Sequence, residues 1–226
     1  MPAAPSPAGE GHGAAAGQGS YDSQHNGGFF SRMAWEFGGG FNAPVSNDIT
    51  WGGNFTIGGG LRFNQHLSGL IEYQFISDKL PGRIINDVGA TGGYAHIWSF
   101  AVAPVVDLFP KSSNDVYITG GGGFYRKVTS FTNPGLTQYC YYFYCGVSYT
   151  NVVVGHFSSN QGGWNIGGGY QHRMGGTYGD SRMKLFAEAR FLDVLTPATT
   201  IAPNGLGIAA VEANTKLVPV TFGVRW

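Results

Sequence analysis

The sequence predicts an all-β fold, an eight-stranded antiparallel up-and-down transmembrane β-barrel. Three observations carry this expectation. Apolar and polar residues alternate with period two through eight separate segments. Glycine and aromatic residues are abundant, at 38 glycines and 15 % aromatics, while charged residues make up only 12 %, about half the share of a soluble domain. The connections between the segments alternate strictly between short and long.

Each segment has two distinct faces. Segment one, 30–41, sets Met33, Trp35, Phe37 and Phe41 against Arg32, Ala34 and Glu36. Segment two, 54–63, sets Phe55, Ile57, Leu61 and Phe63 against Asn54, Thr56 and Arg62. Segment three, 67–76, sets Leu67, Ile71, Tyr73 and Phe75 against Ser68, Leu70, Glu72 and Gln74. Segment four, 94–108, sets Trp98, Phe100, Val102 and Val106 against the small residues Ser99, Ala101 and Ala103. Segment five, 115–129, sets Val116, Ile118 and Phe124 against Tyr117, Thr119, Tyr125 and Lys127. Segment six, 164–174, sets Trp164, Ile166 and Tyr170 against Asn165, Gln171 and Arg173. Segment seven, 182–192, sets Met183, Leu185 and Phe191 against Lys184, Glu188 and Arg190. Segment eight, 216–226, sets Val218, Val220, Phe222, Val224 and Trp226 against Thr221 and Arg225.

A segment of this length crosses a bilayer as a tilted strand, whereas no apolar run approaches the roughly 20 residues of a membrane helix. The repeated triple glycines disfavour helix and permit the curvature of a narrow barrel. Connections 64–66, 109–114 and 175–181 are short, and 42–53, 77–93, 130–163 and 193–215 are long. Such sorting is expected where one rim bears periplasmic turns and the other extracellular loops. An even strand number then places both termini at the periplasmic rim. Residues 1–28 are rich in Ala, Gly and Pro without apolar period, so we expect a disordered segment ahead of a barrel spanning 29–226. No basic and apolar leader stands at the start, and a secretory signal is expected to have been removed.

The eight alternating segments, the loop asymmetry and the ending Val-Thr-Phe-Gly-Val-Arg-Trp together resemble the OmpA/OmpX-like family of small outer-membrane barrels. The resemblance implies a location in the outer membrane of a Gram-negative-type bacterium, among its lipids and lipopolysaccharide. It also implies that Phe222 and Trp226 fill the alternating aromatic places read by the barrel assembly machinery. It identifies architecture rather than activity.

An eight-stranded barrel has an interior just wide enough for side chains to fill it. The inward phase holds Arg32, Glu36, Arg62, Glu72, Arg173, Lys184, Glu188, Arg190 and Arg225, so the lumen is expected to hold a salt-bridged plug. The alternative is a lining for a small-solute channel. By phase, His96 and His172 point outward, near strand ends.

Candidate chemistry is sparse. Lys+Arg and Asp+Glu balance at 13 each, which argues against a nucleic-acid partner. No motif calls for a cofactor or a metal, since no paired Cys-x-x-Cys or nearby histidine cluster is present. Cys140 and Cys145 lie five apart in Tyr-Cys-Tyr-Tyr-Phe-Tyr-Cys and fit a local disulfide, with two free thiols as the alternative. The surrounding Tyr139, Tyr141, Tyr142, Phe143 and Tyr144 form an aromatic loop tip, suited to recognising an extracellular protein or glycan. The alternative is a hairpin packed on itself. His156 and Ser158 share a face if their segment is extended, as a base and a nucleophile must. His156-Phe157-Ser158-Ser159-Asn160 resembles the His-x-Ser-Asn segment of the lipid A 3-O-deacylase barrels, which implies a lipid-modifying esterase. It departs from that pattern in having Ser159 before the Asn and no acidic residue between Ser158 and Asp180. The sequence thus favours a non-enzymatic surface protein acting through its loops.

Overall fold

Alternation of polar and apolar residues on adjacent segments leaves each strand with one face for water or partners and one for an apolar medium, and only ring closure satisfies every edge amide. The computed structural model describes residues 32–174, 183–195 and 214–226. It closes in that way. Eight strands, β1 (Met33–Pro44), β2 (Gly52–Arg62), β3 (Leu67–Lys79), β4 (Gly92–Asp107), β5 (Asn114–Tyr141), β6 (Tyr144–Arg173), β7 (Lys184–Val194) and β8 (Thr215–Arg225), pair antiparallel in chain order. The ring shuts between β1 and β8, where Gly38 stands opposite Gly223 and Phe41 opposite Val220. Backbone bonds from Trp35 N–H to Trp226 O (2.8 Å) and from Trp226 N–H to Trp35 O (3.0 Å) secure the end of that seam. The expected disorder of 1–28 and the bulk of the 193–215 connection lie outside the described residues.

Side-chain phase follows the sequence reading through the wall. Glu36, Thr56, Glu72, Ser99, Tyr117, Asn165, Glu188 and Arg225 are buried inside, while Phe37, Ile57, Ile71, Phe100, Ile118, Ile166 and Phe222 are exposed outside. Glycine answers a close approach at two places in particular. A Cβ on Gly40 would lie 1.9 Å from the Val220 carbonyl oxygen, and one on Gly121 would lie 1.9 Å from that of Val102. No side chain fits between strands so close.

Two features differ from expectation. The connection expected at 130–163 is strand: β5 and β6 run on as an antiparallel ribbon to a two-residue turn at Tyr142–Phe143. The connection after β3 carries a short helix, α1 (Gly82–Asp87), which turns Ile84 into the barrel mouth.

Candidate functional site

The ribbon is the feature that sets this barrel's rim apart. β4 last meets β5 at Gly92 opposite Thr132, and β7 reaches no further along β6 than Gly163 opposite Val194. Beyond these points, among the described residues, Asn133–Tyr141 pairs only with Tyr144–Val152, which projects about 30 Å at strand rise. A register shift between Phe131 and Thr132 marks where it leaves the wall, as bulges bend a strand. Cys140 and Cys145 form a disulfide directly across the turn. Tyr142 takes the left-handed conformation at φ 54°, which lets two residues reverse the chain. Tyr139, Tyr141, Tyr142, Phe143 and Tyr144 are all exposed, Phe143 completely. No charged residue occurs between Lys127 and Arg173.

The lumen is filled in layers. At the short-turn end Lys184 Nζ lies 3.2 Å from Asp107, and Gln171 Nε2 donates to Asp107 and Asp115, each at 2.9 Å. In the middle, Arg190 pairs with Glu188 and doubly with Glu72, one bond being 2.8 Å. Arg225 binds Glu36, its Nε donating at 2.8 Å, and its guanidinium stacks 4.5 Å from the Tyr117 ring. Tyr117 donates its hydroxyl to Glu188 at 2.9 Å. Above this, Asn42 donates to Asp78 and Asn54 to Asn42, both at 2.9 Å. Nearest the long loops, Ile76, Ile97, Tyr125, Leu192 and Leu217 close over the lumen together with Ile49 and Ile84 from the connections. Lys127 anchors this cap by donating to Asp48 at 3.0 Å and Thr215 at 2.6 Å.

The expected charge set is therefore divided. Glu36, Glu72, Glu188, Arg190 and Arg225 form one buried cluster, and Lys184 forms a second with Asp107. Arg32 and Arg173 are exposed rather than inside. Arg32 precedes β1, and Arg173, the last residue of β6, reaches out to the Pro110 carbonyl at 3.1 Å. Arg62 is half-buried where β2 ends. The sequence reading missed the aspartates. Asp48, Asp78, Asp107 and Asp115 lie at strand ends or in a connection, where alternation fades. Their phase relative to the adjoining strand was the available signal for Asp78 and Asp115.

His156 and Ser158 share the outward face of β6, both exposed. Among the described residues no carboxylate hydrogen-bonds His156, and no hydrogen bond joins it to Ser158. His172 lies on the same wall with Nδ1 2.6 Å from Asn114 Oδ1. His96 points outward between Tyr94, Phe75 and Trp98, with ring centroids at 4.7, 5.3 and 5.9 Å. Phe222 and Trp226 are outward and exposed at the closing strand.

No family model matches the chain, and no curated protein matches it either. Among solved structures, Neisserial surface protein A is similar at a TM-score of 0.52 and 13 % identity, covering 85 % of this chain and 94 % of that one. The chain has the fold of the small eight-stranded outer-membrane β-barrels. A major outer membrane protein of Thermus thermophilus follows at 0.49 and 11 %, covering 86 % and 98 %. Ail, the attachment invasion locus protein of Yersinia pestis, solved with the heparin analogue sucrose octasulfate, follows at 0.41 and 9 %, covering 86 % and 97 %.

Proposed function

We propose that this chain is a non-enzymatic barrel of the bacterial outer membrane that acts at the cell surface through the β5–β6 ribbon. The outward wall supports the membrane setting: a continuous apolar surface around a closed ring is costly in water and natural in lipid. The ribbon supports the surface role, and one observation carries it. From Val128 to His172 there is no charged residue, and the tip holds five aromatic side chains exposed on a disulfide-closed turn. Aromatic side chains offer large contact area at low entropic cost, and the disulfide removes part of the cost of ordering the tip. The partner class is an extracellular protein or glycan. Assembly is proposed to use the outward Phe222 and Trp226, and a pore role finds no support in a lumen occupied by layered side chains.

The test compares cells displaying the full chain with cells displaying a variant in which residues 133–152 are replaced by Asn-Gly. Retention is measured on surfaces coated with a neutral polysaccharide, a sulphated glycan or a fibrous glycoprotein. We expect retention on at least one surface to fall about ten-fold, the equivalent of 1.4 kcal/mol, with folded gel mobility unchanged. Equal retention of both strains on all three surfaces refutes the proposal.

A further inference from the structure

The outward wall of β3 to β6 changes character at the long-loop end. Cross-strand register lays three rows there. Phe75, Trp98, Arg126 and Asn160 form the first. Ser77, His96, Val128 and Ser158 form the next. Lys79, Tyr94, Ser130 and His156 form the third. Because side chains alternate with period two, these rows are in phase with the outer face; Ser130 is buried within it, and the other members are exposed or half-buried. Two fixed cations and two imidazoles thus share one patch with the aromatic pair Phe75–Trp98, whose centroids are 5.6 Å apart, Arg126 in the row of that pair and the others in the rows beyond it.

The cations of this patch are not balanced from within. Lys216, the outward cation of β8, has Asp193 at 4.0 Å. Among the described residues neither Arg126 nor Lys79 has a carboxylate partner. A cavity of about 430 Å³ opens just beyond them, lined by Lys79, Tyr94, Thr132 and Asn151 together with Leu80 and Ile85. Lys79 and Tyr94 belong to both the patch and the cavity. Its wall mixes hydroxyl, amide and ammonium groups with apolar surface, the combination that suits a sugar ring.

Position selects the ligand. Trp and Tyr mark the level of lipid headgroups in a membrane protein, so the patch stands where phosphates of the outer leaflet lie. Exposed cations at that level attract anionic lipids, and an arginine adds bidentate geometry for phosphate. The apolar wall below, with Phe100 and Phe124 exposed, accommodates acyl chains. We infer that the outward face of β3–β6 at the long-loop end is a binding site for a phosphorylated glycolipid headgroup, with Arg126 and Lys79 on the phosphate and the adjoining cavity on the sugar. This rests on the membrane setting proposed above.

The experiment reconstitutes the full chain in phosphatidylcholine nanodiscs doped with a bis-phosphorylated lipid A and counts retained glycolipid by native mass spectrometry. Parallel samples hold R126Q, the double variant R126Q/K79Q, or K111Q, an exposed cation of the opposite rim. Further arms use the dephosphorylated glycolipid, and the phosphorylated one with added inorganic phosphate. We expect retention to fall about five-fold in R126Q and thirty-fold in the double variant, and not in K111Q. Dephosphorylation should lower wild-type retention as strongly, while millimolar inorganic phosphate should displace little. Unchanged retention in R126Q, or an equal fall in K111Q, overturns the site. Full displacement by inorganic phosphate overturns the lipid assignment. Failure of the wild type to give a heat-modifiable species in nanodiscs would instead refute the membrane setting itself.

Discussion

Arg190 is the residue on which the lumen turns. It is buried and touches Glu72 and Glu188 directly, with Glu36 at 3.9 Å. Three carboxylates this close are tolerable only with cations between them, because unpaired charge in a low-dielectric interior is costly. Arg225 serves Glu36 and lies 3.6 Å from Glu188, so it cannot also cover Glu72. Replacing Arg190 with Met should therefore strand Glu72 and cost about 3–5 kcal/mol. Arg173 provides the contrast, since it is exposed and, among the described residues, its guanidinium donates to a backbone carbonyl alone. Its replacement by Met should cost about 0.5 kcal/mol or less. Urea titrations of the folded band in lipid vesicles measure both. Adding Glu72→Gln to Arg190→Met should recover part of the loss, because the stranded charge is then gone. Equal midpoints for Arg190→Met and Arg173→Met would show that the cluster does not hold the lumen.

At the scale of elements, the wall strands and the ribbon differ in what their sequence can reveal. Period-two alternation arises when the two faces of a strand meet different media. The wall has a packed polar inner face and an apolar outer face, so Trp35, Phe37, Ala34 and Glu36 sort cleanly, and β1 to β4 were legible. Ribbon residues 136–145 are exposed on both faces, so nothing selects an alternation, and Pro134, Gly135 and Gly146 read as loop punctuation. Helix α1 is too short, at six residues, to show a period. Arg126 was missed for a different reason: its phase was legible beside Phe124, but an outward arginine makes sense only once its level against the aromatic belt is known. The ribbon's independence from the wall has a measurable consequence. Closing a six-residue loop by the disulfide constrains the open ribbon by about 2 kcal/mol in the chain-entropy account. Replacing Cys140 and Cys145 by Ser should speed amide exchange of 133–152 by roughly thirty-fold, leaving barrel strands β1–β3 and the heat-induced mobility change untouched. Loss of protection throughout the barrel would mean that ribbon and wall unfold as one unit.

For the whole molecule, the decisive property is that barriers stand in series along the axis. The charged cluster around Arg190 and Arg225 occupies mid-barrel, and the apolar cap around Ile76, Ile97, Leu192 and Leu217 occupies the long-loop end. They would oppose an ion by different physics. The cluster presents charges already satisfied by one another, and an ion entering must break those pairs. The cap presents mainly apolar side chains, and its polar groups Lys127, Asp48 and Thr215 are bonded to one another, so it would oppose an ion as a hydrophobic constriction does. Ile84 from α1 and Ile49 from the first connection complete it, so the connections seal the mouth rather than frame an opening. Serial barriers predict a particular pattern in planar bilayers. Wild-type protein should show no unitary steps. Arg190→Ala should also be silent despite its lowered stability, because the cap remains. Deleting residues 82–87 alone should be silent too, because the cluster remains. Only the combination removes both seals, and discrete steps are expected there if the barrel still folds. Conductance from the wild type, in protein that shows the folded mobility, would contradict a lumen closed by its own side chains.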